Sequence, residues 1–146
     1  MTNCFQHIVL LAEDSADDLI FIKRAIRKAG ASVSLQIVGN GEEAVSYLLG
    51  EGFYSDRERY PFPALIITNM KMPRMNGLEL LAWIKQQPTL KHLPVLVMSS
   101  SEDPDEMSKV AALGGSSYFV KTSSLGALKE VVKQMMSFLP PLNQEP

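Results

Sequence analysis

Ile8, Val9, Leu10, Leu11 and Ala12 form an unbroken apolar run with β-branched members, the pattern of a strand covered on both faces. The period then changes. Ser15 stands three residues before Asp18, a capping-box spacing. Leu19, Ile22, Ile26 and Ala29 follow at helical intervals, with Lys23, Arg24, Arg27 and Lys28 on the opposite face, and Gly30 ends the helix. Leu35, Ile37 and their neighbours alternate as a second strand. Asn40, Glu43 and the apolar set Ala44, Val45, Leu48 and Leu49 predict a short second helix that stops near Gly50.

From Glu51 to Pro63 the rhythm breaks. Asp56, Arg57, Glu58 and Arg59 mix with Phe53, Tyr54, Tyr60 and Phe62, which predicts a long ordered loop, since four aromatics are costly to leave in water. The third strand is Ala64 to Thr68, ending in Asn69. A third helix runs from about Asn76, with Leu80, Leu81 and Ile84 inward, and stops before Pro88. The remaining elements are a strand at Val95 to Met98, a helix from about Pro104 to Leu113, a strand at Ser117 to Val120 and a helix from about Leu125 to Phe138. Five strands alternating with five helices predict an α/β fold with a parallel sheet covered on both faces. Right-handed crossovers leave few topologies, of which the flavodoxin-like (βα)5 doubly wound sheet, order 2-1-3-4-5, is among the commonest. Residues 1–146 read as one domain, with a core at about 6–139 and a proline-containing tail from Pro140 without regular structure.

Composition narrows the function. A net charge of −2 argues against a general nucleic-acid-binding surface, which needs a basic excess. The single cysteine, Cys4, excludes an internal disulfide and points to the cytoplasm; it has no basic neighbour that would make it a reactive thiol. No apolar run is longer than Ile8 to Ala12, far too short to cross a membrane. His7 and His92 have no Cys or second His at ligand spacing, and Met70, Met72 and Met75 read as packing residues.

In doubly wound sheets, function gathers at the carboxyl ends of the strands. Here those ends carry Glu13 and Asp14, then Asn69, Ser99 and Lys121. Adjacent carboxylates repel one another and favour a divalent cation such as magnesium. A hydroxyl and an ammonium across the same crevice suit a phosphoryl group. Taken one at a time, each residue has a plainer explanation. Glu13-Asp14 suits a solvated turn, Asn69 a turn, Ser99 a strand end, Lys121 the surface and Tyr118 packing.

Four stretches in order carry a specific resemblance. AEDSADD at Ala12–Asp18, ALIITNMKMPRMNG at Ala64–Gly77, PVLVMSSS at Pro94–Ser101 and SYFVKTSS at Ser117–Ser124 resemble the strand-end motifs of response-regulator receiver domains of two-component signalling. The resemblance covers about residues 6–139. The long loop after the second helix and the SADD turn are most similar to the stand-alone receivers paired with cyanobacterial bacteriophytochromes. It implies Glu13, Asp14 and the Lys71 carbonyl as ligands of Mg2+, Ser99 as the switch hydroxyl, Tyr118 as the switch aromatic, and Lys121 as the contact to the phosphoryl group. Asn69 falls at the phosphoacceptor position and would be a further metal ligand. It also implies a sensor histidine kinase as partner, docking near the first helix and the strand-five turn, no enzymatic activity of its own, and no nucleic acid or membrane among its partners.

Two residues depart from the pattern. The family places an aspartate where this chain has Asn69, and an amide is a poor nucleophile for a phosphoryl group. The change also leaves Glu13, Asp14 and Lys121 at −1 instead of −2, so Mg2+ should bind weakly or not at all. Either the chain is naturally a pseudo-receiver or its acceptor has been substituted. Many members carry proline where this chain has Thr122, and threonine makes a cis peptide after the lysine far less favourable.

Three functions follow: a phosphorelay receiver, a phosphorylation-independent interaction module and, against the missing nucleophile, an acid-pair phosphohydrolase. The apolar stripe Leu125, Leu128, Val132, Met135 and Leu139 should face the sheet. Val131 and Phe138 widen it, and Leu139 to Leu142 continue it, predicting a homodimer through helix four, strand five and helix five.

Overall fold

A computed structural model of the chain describes residues 6–121 and 125–139. Strands β1 (His7–Ala12), β2 (Val33–Val38), β3 (Leu65–Asn69), β4 (Val95–Ser99) and β5 (Ser117–Val120) alternate with helices α1 (Ala16–Ala29), α2 (Gly41–Leu49), α3 (Gly77–Gln86), α4 (Pro104–Ala112) and α5 (Leu125–Phe138). All strand pairings are parallel and the order is β2-β1-β3-β4-β5, the flavodoxin-like arrangement that the alternation predicts.

The unbroken apolar run of β1 is explained by where its residues point. Val9 and Leu11 pack with Ile22, Ala25 and Ile26 of α1 and with Val132 and Met135 of α5. Leu10 and Ala12 face the other way, onto Ala44 and Leu48 of α2 and Leu80 and Leu81 of α3. Both faces of the sheet are therefore dry, and the functional groups can only emerge at its ends.

Several predicted positions shift. On α1, Ala25 is buried and Ala29 is exposed, because the inward stripe turns with the 3.6-residue period and leaves the last turn outside. On β2, Ile37 is 37% exposed: this is an edge strand with a neighbouring strand on one side only, and Val33 and Val38 carry its burial. On α5, Val131 is buried and Phe138 packs into the same cluster as Val132, against the expectation that the two widen an outer apolar face. They lie seven residues apart, two turns of one helix face, which packs alongside α1. The side chain of Leu125, together with Cys4, Thr122 and the tail from Pro140, lies outside the described residues.

The segment Glu51–Pro63 is ordered by its own side chains. Tyr47 Oη donates to Pro61 O at 2.7 Å, and Arg57 donates to Leu48 O at 2.9 Å and Tyr60 O at 3.1 Å. The rings of Tyr47, Tyr54 and Tyr60 pack on one another. Phe53 contacts Tyr54 and Tyr60 yet stays 76% exposed, so the loop does not cover all its aromatics.

Candidate functional site

The loop after β3 is folded tightly over the strand end. Gly77 N donates to Met70 O at 2.8 Å, and any Cβ at residue 77 would lie 2.4 Å from Asn69 O, so only glycine fits there. Asn76 caps α3 with a full capping box to Glu79. These contacts fix Asn69, only 7% exposed, at the centre of the crevice.

The Asn69 amide gathers its neighbours. Its Nδ2 donates to Lys71 O at 2.7 Å, Glu13 Oε2 at 3.2 Å and Asp14 Oδ1 at 3.3 Å. An amide nitrogen carries two hydrogens, so three acceptors share two donors, with the Lys71 carbonyl held most closely. Those three acceptors are the oxygens that the sequence motif assigns to a cation, and the amide nitrogen faces all of them.

Lys121 closes the crevice from β5. Its Nζ lies 3.0 Å from Glu13 Oε1 and 2.5 Å from Asp18 Oδ2. Glu13 is 1% exposed, and burial raises its carboxyl above the usual range despite the Ser15 N–H and the Lys121 ammonium that favour the charged form. Burial works against the Lys121 ammonium as well, but the hydrogen bond it donates to Asp18 and its contact with Glu13, with the charges of both carboxylates, bring its pKa out above the ordinary lysine value.

Asp18 was read from the sequence only as part of a capping box. Ser15 does cap α1, accepting from Asp18 N at 3.3 Å. The reciprocal half of the box is absent: Ser15 N donates to Glu13 Oε2 at 3.0 Å, and the Asp18 carboxylate goes to Lys121.

The structure thus brings Glu13, Asp14, Asn69, the Lys71 carbonyl and Lys121 together. Ser99 and Tyr118 belong to a second network. Ser99 Oγ donates to Glu106 Oε1 at 2.7 Å, and Tyr118 Oη lies 2.7 Å from both Glu106 Oε1 and Ser101 O. Burial first, then the Glu106 carboxylate, raises the pKa of the Tyr118 hydroxyl. No sequence pattern marked Glu106, because an acidic residue in the first turn of a helix has an ordinary electrostatic reason to be there.

The oxygen donors suit a hard divalent cation in kind. Their present arrangement does not, since the Asn69 nitrogen points at them. Glu13 Oε1 is buried with no hydrogen-bond donor aligned on it and has only the Lys121 charge for compensation. The residues fit a cation once the amide turns over and presents Oδ1. Among the described residues no group of three or more His, Cys, Asp or Glu side chains could hold a metal by itself, so Asn69 and the Lys71 carbonyl are needed to complete a ligand set.

Comparison with known proteins agrees with this geometry. The family model described as the response regulator receiver domain matches residues 9–133. Response regulator Rcp1 of Synechocystis sp. is 32% identical over 131 residues, covering 90% of this chain and 87% of Rcp1. The solved Mn2+-bound form of Rcp1 superposes with a TM-score of 0.79 at 31% identity, covering 92% of this chain and 99% of that one. Response regulator RPA3017, in red light signaling of R. palustris, superposes with a TM-score of 0.84 at 27% identity over 96% of this chain and 98% of that one. The phosphorylated cyanobacterial phytochrome response regulator RcpA gives 0.81 at 31% identity over 97% of each chain.

Proposed function

The chain belongs to the response-regulator receiver family, related to the phytochrome-linked regulators, and on that premise we propose that it is a phosphorelay receiver whose acceptor position is Asn69. The observation that carries this reading is the Asn69 amide itself. It sits at the end of β3 among Glu13, Asp14 and the Lys71 carbonyl, where the family motif has its aspartate. A neutral amide cannot form the acyl phosphate that a carboxylate forms.

The amide also favours the alternative role, a pseudo-receiver acting as a phosphorylation-independent interaction module. Its nitrogen places partial positive charge against the three oxygens that a cation would otherwise neutralise, so the amide answers them in part without phosphate or metal. A divalent cation, Mg2+ by class, would be held weakly by Asp14, the Lys71 carbonyl and the Asn69 amide oxygen, with Glu13 behind them. Bound there, it would supply positive charge to a phosphoryl oxygen. Lys121 would supply the second positive charge and Ser99 a hydroxyl donor.

The partner in this reading is a sensor histidine kinase of phytochrome type. It would dock on α1, where Phe21, 37% exposed, lines the same cleft as Asp18 and Lys121, and Ile20 is 51% exposed. The chain acts in signalling, not catalysis, and in the cytoplasm; among the described residues no helix is long and apolar enough to cross a membrane. A homodimer through α4, β5 and α5 completes the proposal, with the exposed Met107 and Met136 as its apolar contacts.

Incubation with an autophosphorylated phytochrome-type histidine kinase tests the reading. The chain should bind the kinase and take no label at residue 69, and Phe21→Asp should weaken the binding. Binding indifferent to that substitution removes the α1 docking face.

A further inference from the structure

Helix α4 is seated unlike its neighbours. Val110 is its one buried residue, with Leu113 just beyond its end packed against the same core, so apolar packing holds only the second half. In the first half Pro104, Asp105 and Met107 are exposed, and Glu106 alone is half-buried. Its carboxylate reaches the sheet. One oxygen, Oε1, accepts from Ser99 Oγ at the end of β4 and lies equally close to Tyr118 Oη on β5.

Ser99 is 1% exposed and has a single hydroxyl proton, which is committed to Glu106; the same oxygen accepts from Ser101 N at 3.1 Å. Tyr118 Oη also has a single proton, divided between Ser101 O and Glu106 Oε1. Three elements therefore meet at one carboxylate oxygen. Hydrogen bonds to a charged acceptor are shorter and stronger than neutral ones, and leaving such an acceptor without donors inside the fold is costly.

We propose that Glu106 is a positioning residue that couples the Ser99 hydroxyl to helix α4, so that Ser99 can turn its proton elsewhere only if the first turn of α4 loosens from the sheet. Tyr118 is the second tether of the same oxygen. The coupling is built into the chain as it stands and does not depend on whether residue 69 accepts phosphate.

Hydrogen exchange on the full chain tests it, with Glu106→Ala, Glu106→Gln, Ser99→Ala and Tyr118→Phe compared to the parent. Glu106→Ala should speed exchange of the α4 amides about tenfold, the weight of one charge-assisted hydrogen bond, while α2 and α3 keep their rates. Glu106→Gln, which keeps an acceptor oxygen without the charge, should fall between. Glu106→Ala combined with Ser99→Ala should cost less in urea midpoint than the two single losses together, because both remove the same bond. Unchanged α4 exchange, acceleration spread evenly over the fold, or strict additivity with Ser99→Ala overturns the proposal. Should Glu106→Ala fail to fold, the Gln variant gives the same readings with a smaller change.

Discussion

Lys121 Nζ donates to Asp18 Oδ2 at 2.5 Å, joining the end of β5 to the first turn of α1 across 103 residues of sequence. The same ammonium neutralises Glu13, whose side chain has no exposure at all. Lys121 is thus held from two places, the residue after β1 through Glu13 and the first turn of α1 through Asp18.

The two ends of this contact should differ in weight. Lys121→Met leaves Glu13 buried and uncompensated and should cost about 3 kcal/mol. Asp18→Asn leaves Lys121 its contact with Glu13, and the Asp18 side chain is 33% exposed, so the loss should be about 1 kcal/mol. Urea unfolding of the two variants checks the ranking. Equal losses contradict the assignment of Glu13 as the costly partner.

Glu13 also predicts a pH dependence. Burial raises its carboxyl above the ordinary 4.5, so the folded protein binds that proton more tightly than the unfolded chain. The linked stability is fully present below the ordinary value and is lost as pH rises through the folded value. In metal-free buffer, Glu13→Gln should gain on the parent as pH climbs above 4.5, and the difference should then level off. Melting curves of both proteins from acid to neutral pH measure this. A difference that is flat with pH, or that shrinks, contradicts it.

Magnesium should separate the parent from Asn69→Asp. The aspartate withdraws both N–H donors from Lys71 O, Glu13 and Asp14 and adds a like charge beside two carboxylates. Without metal the variant should lose on the order of 2 kcal/mol. Millimolar Mg2+ should restore most of that loss while moving the parent little. Thermal melts with and without chelator decide; equal Mg2+ responses contradict the view that the amide answers the oxygens.

The proposed homodimer has a direct reading by sedimentation. A dimer at micromolar concentration should become a monomer when Met107→Lys and Met136→Lys are combined, since charges in an apolar contact oppose association. Val131 and Phe138 can no longer be counted toward that surface, being packed against the body of the domain. A monomeric parent ends the proposal.

The sheet order and the element boundaries were legible in the sequence because period and burial coincide: β1 is apolar throughout since both its faces are covered, and Gly30 and Gly50 end their helices in the left-handed conformation. The crevice was legible as a set of strand ends. What the sequence hid was who partners whom. Asp18 has the spacing of a capping residue, and only the fold, which brings the first turn of α1 to the end of β5, shows that its carboxylate is taken by Lys121. Glu106 has the place of a dipole-complementing acid, and only the register of β4 and β5 brings Ser99 and Tyr118 to it. Val131 and Phe138 were misplaced for a related reason: a helical stripe read along one chain does not show that α1 lies beside α5 and covers its flank.

Intact-mass measurement after incubation with a small phosphodonor and Mg2+ tests the central claim about Asn69 most directly. The parent should stay at its unmodified mass, and Asn69→Asp should gain one phosphoryl group, mapped to residue 69. A phosphoryl group on residue 69 of the parent contradicts the account.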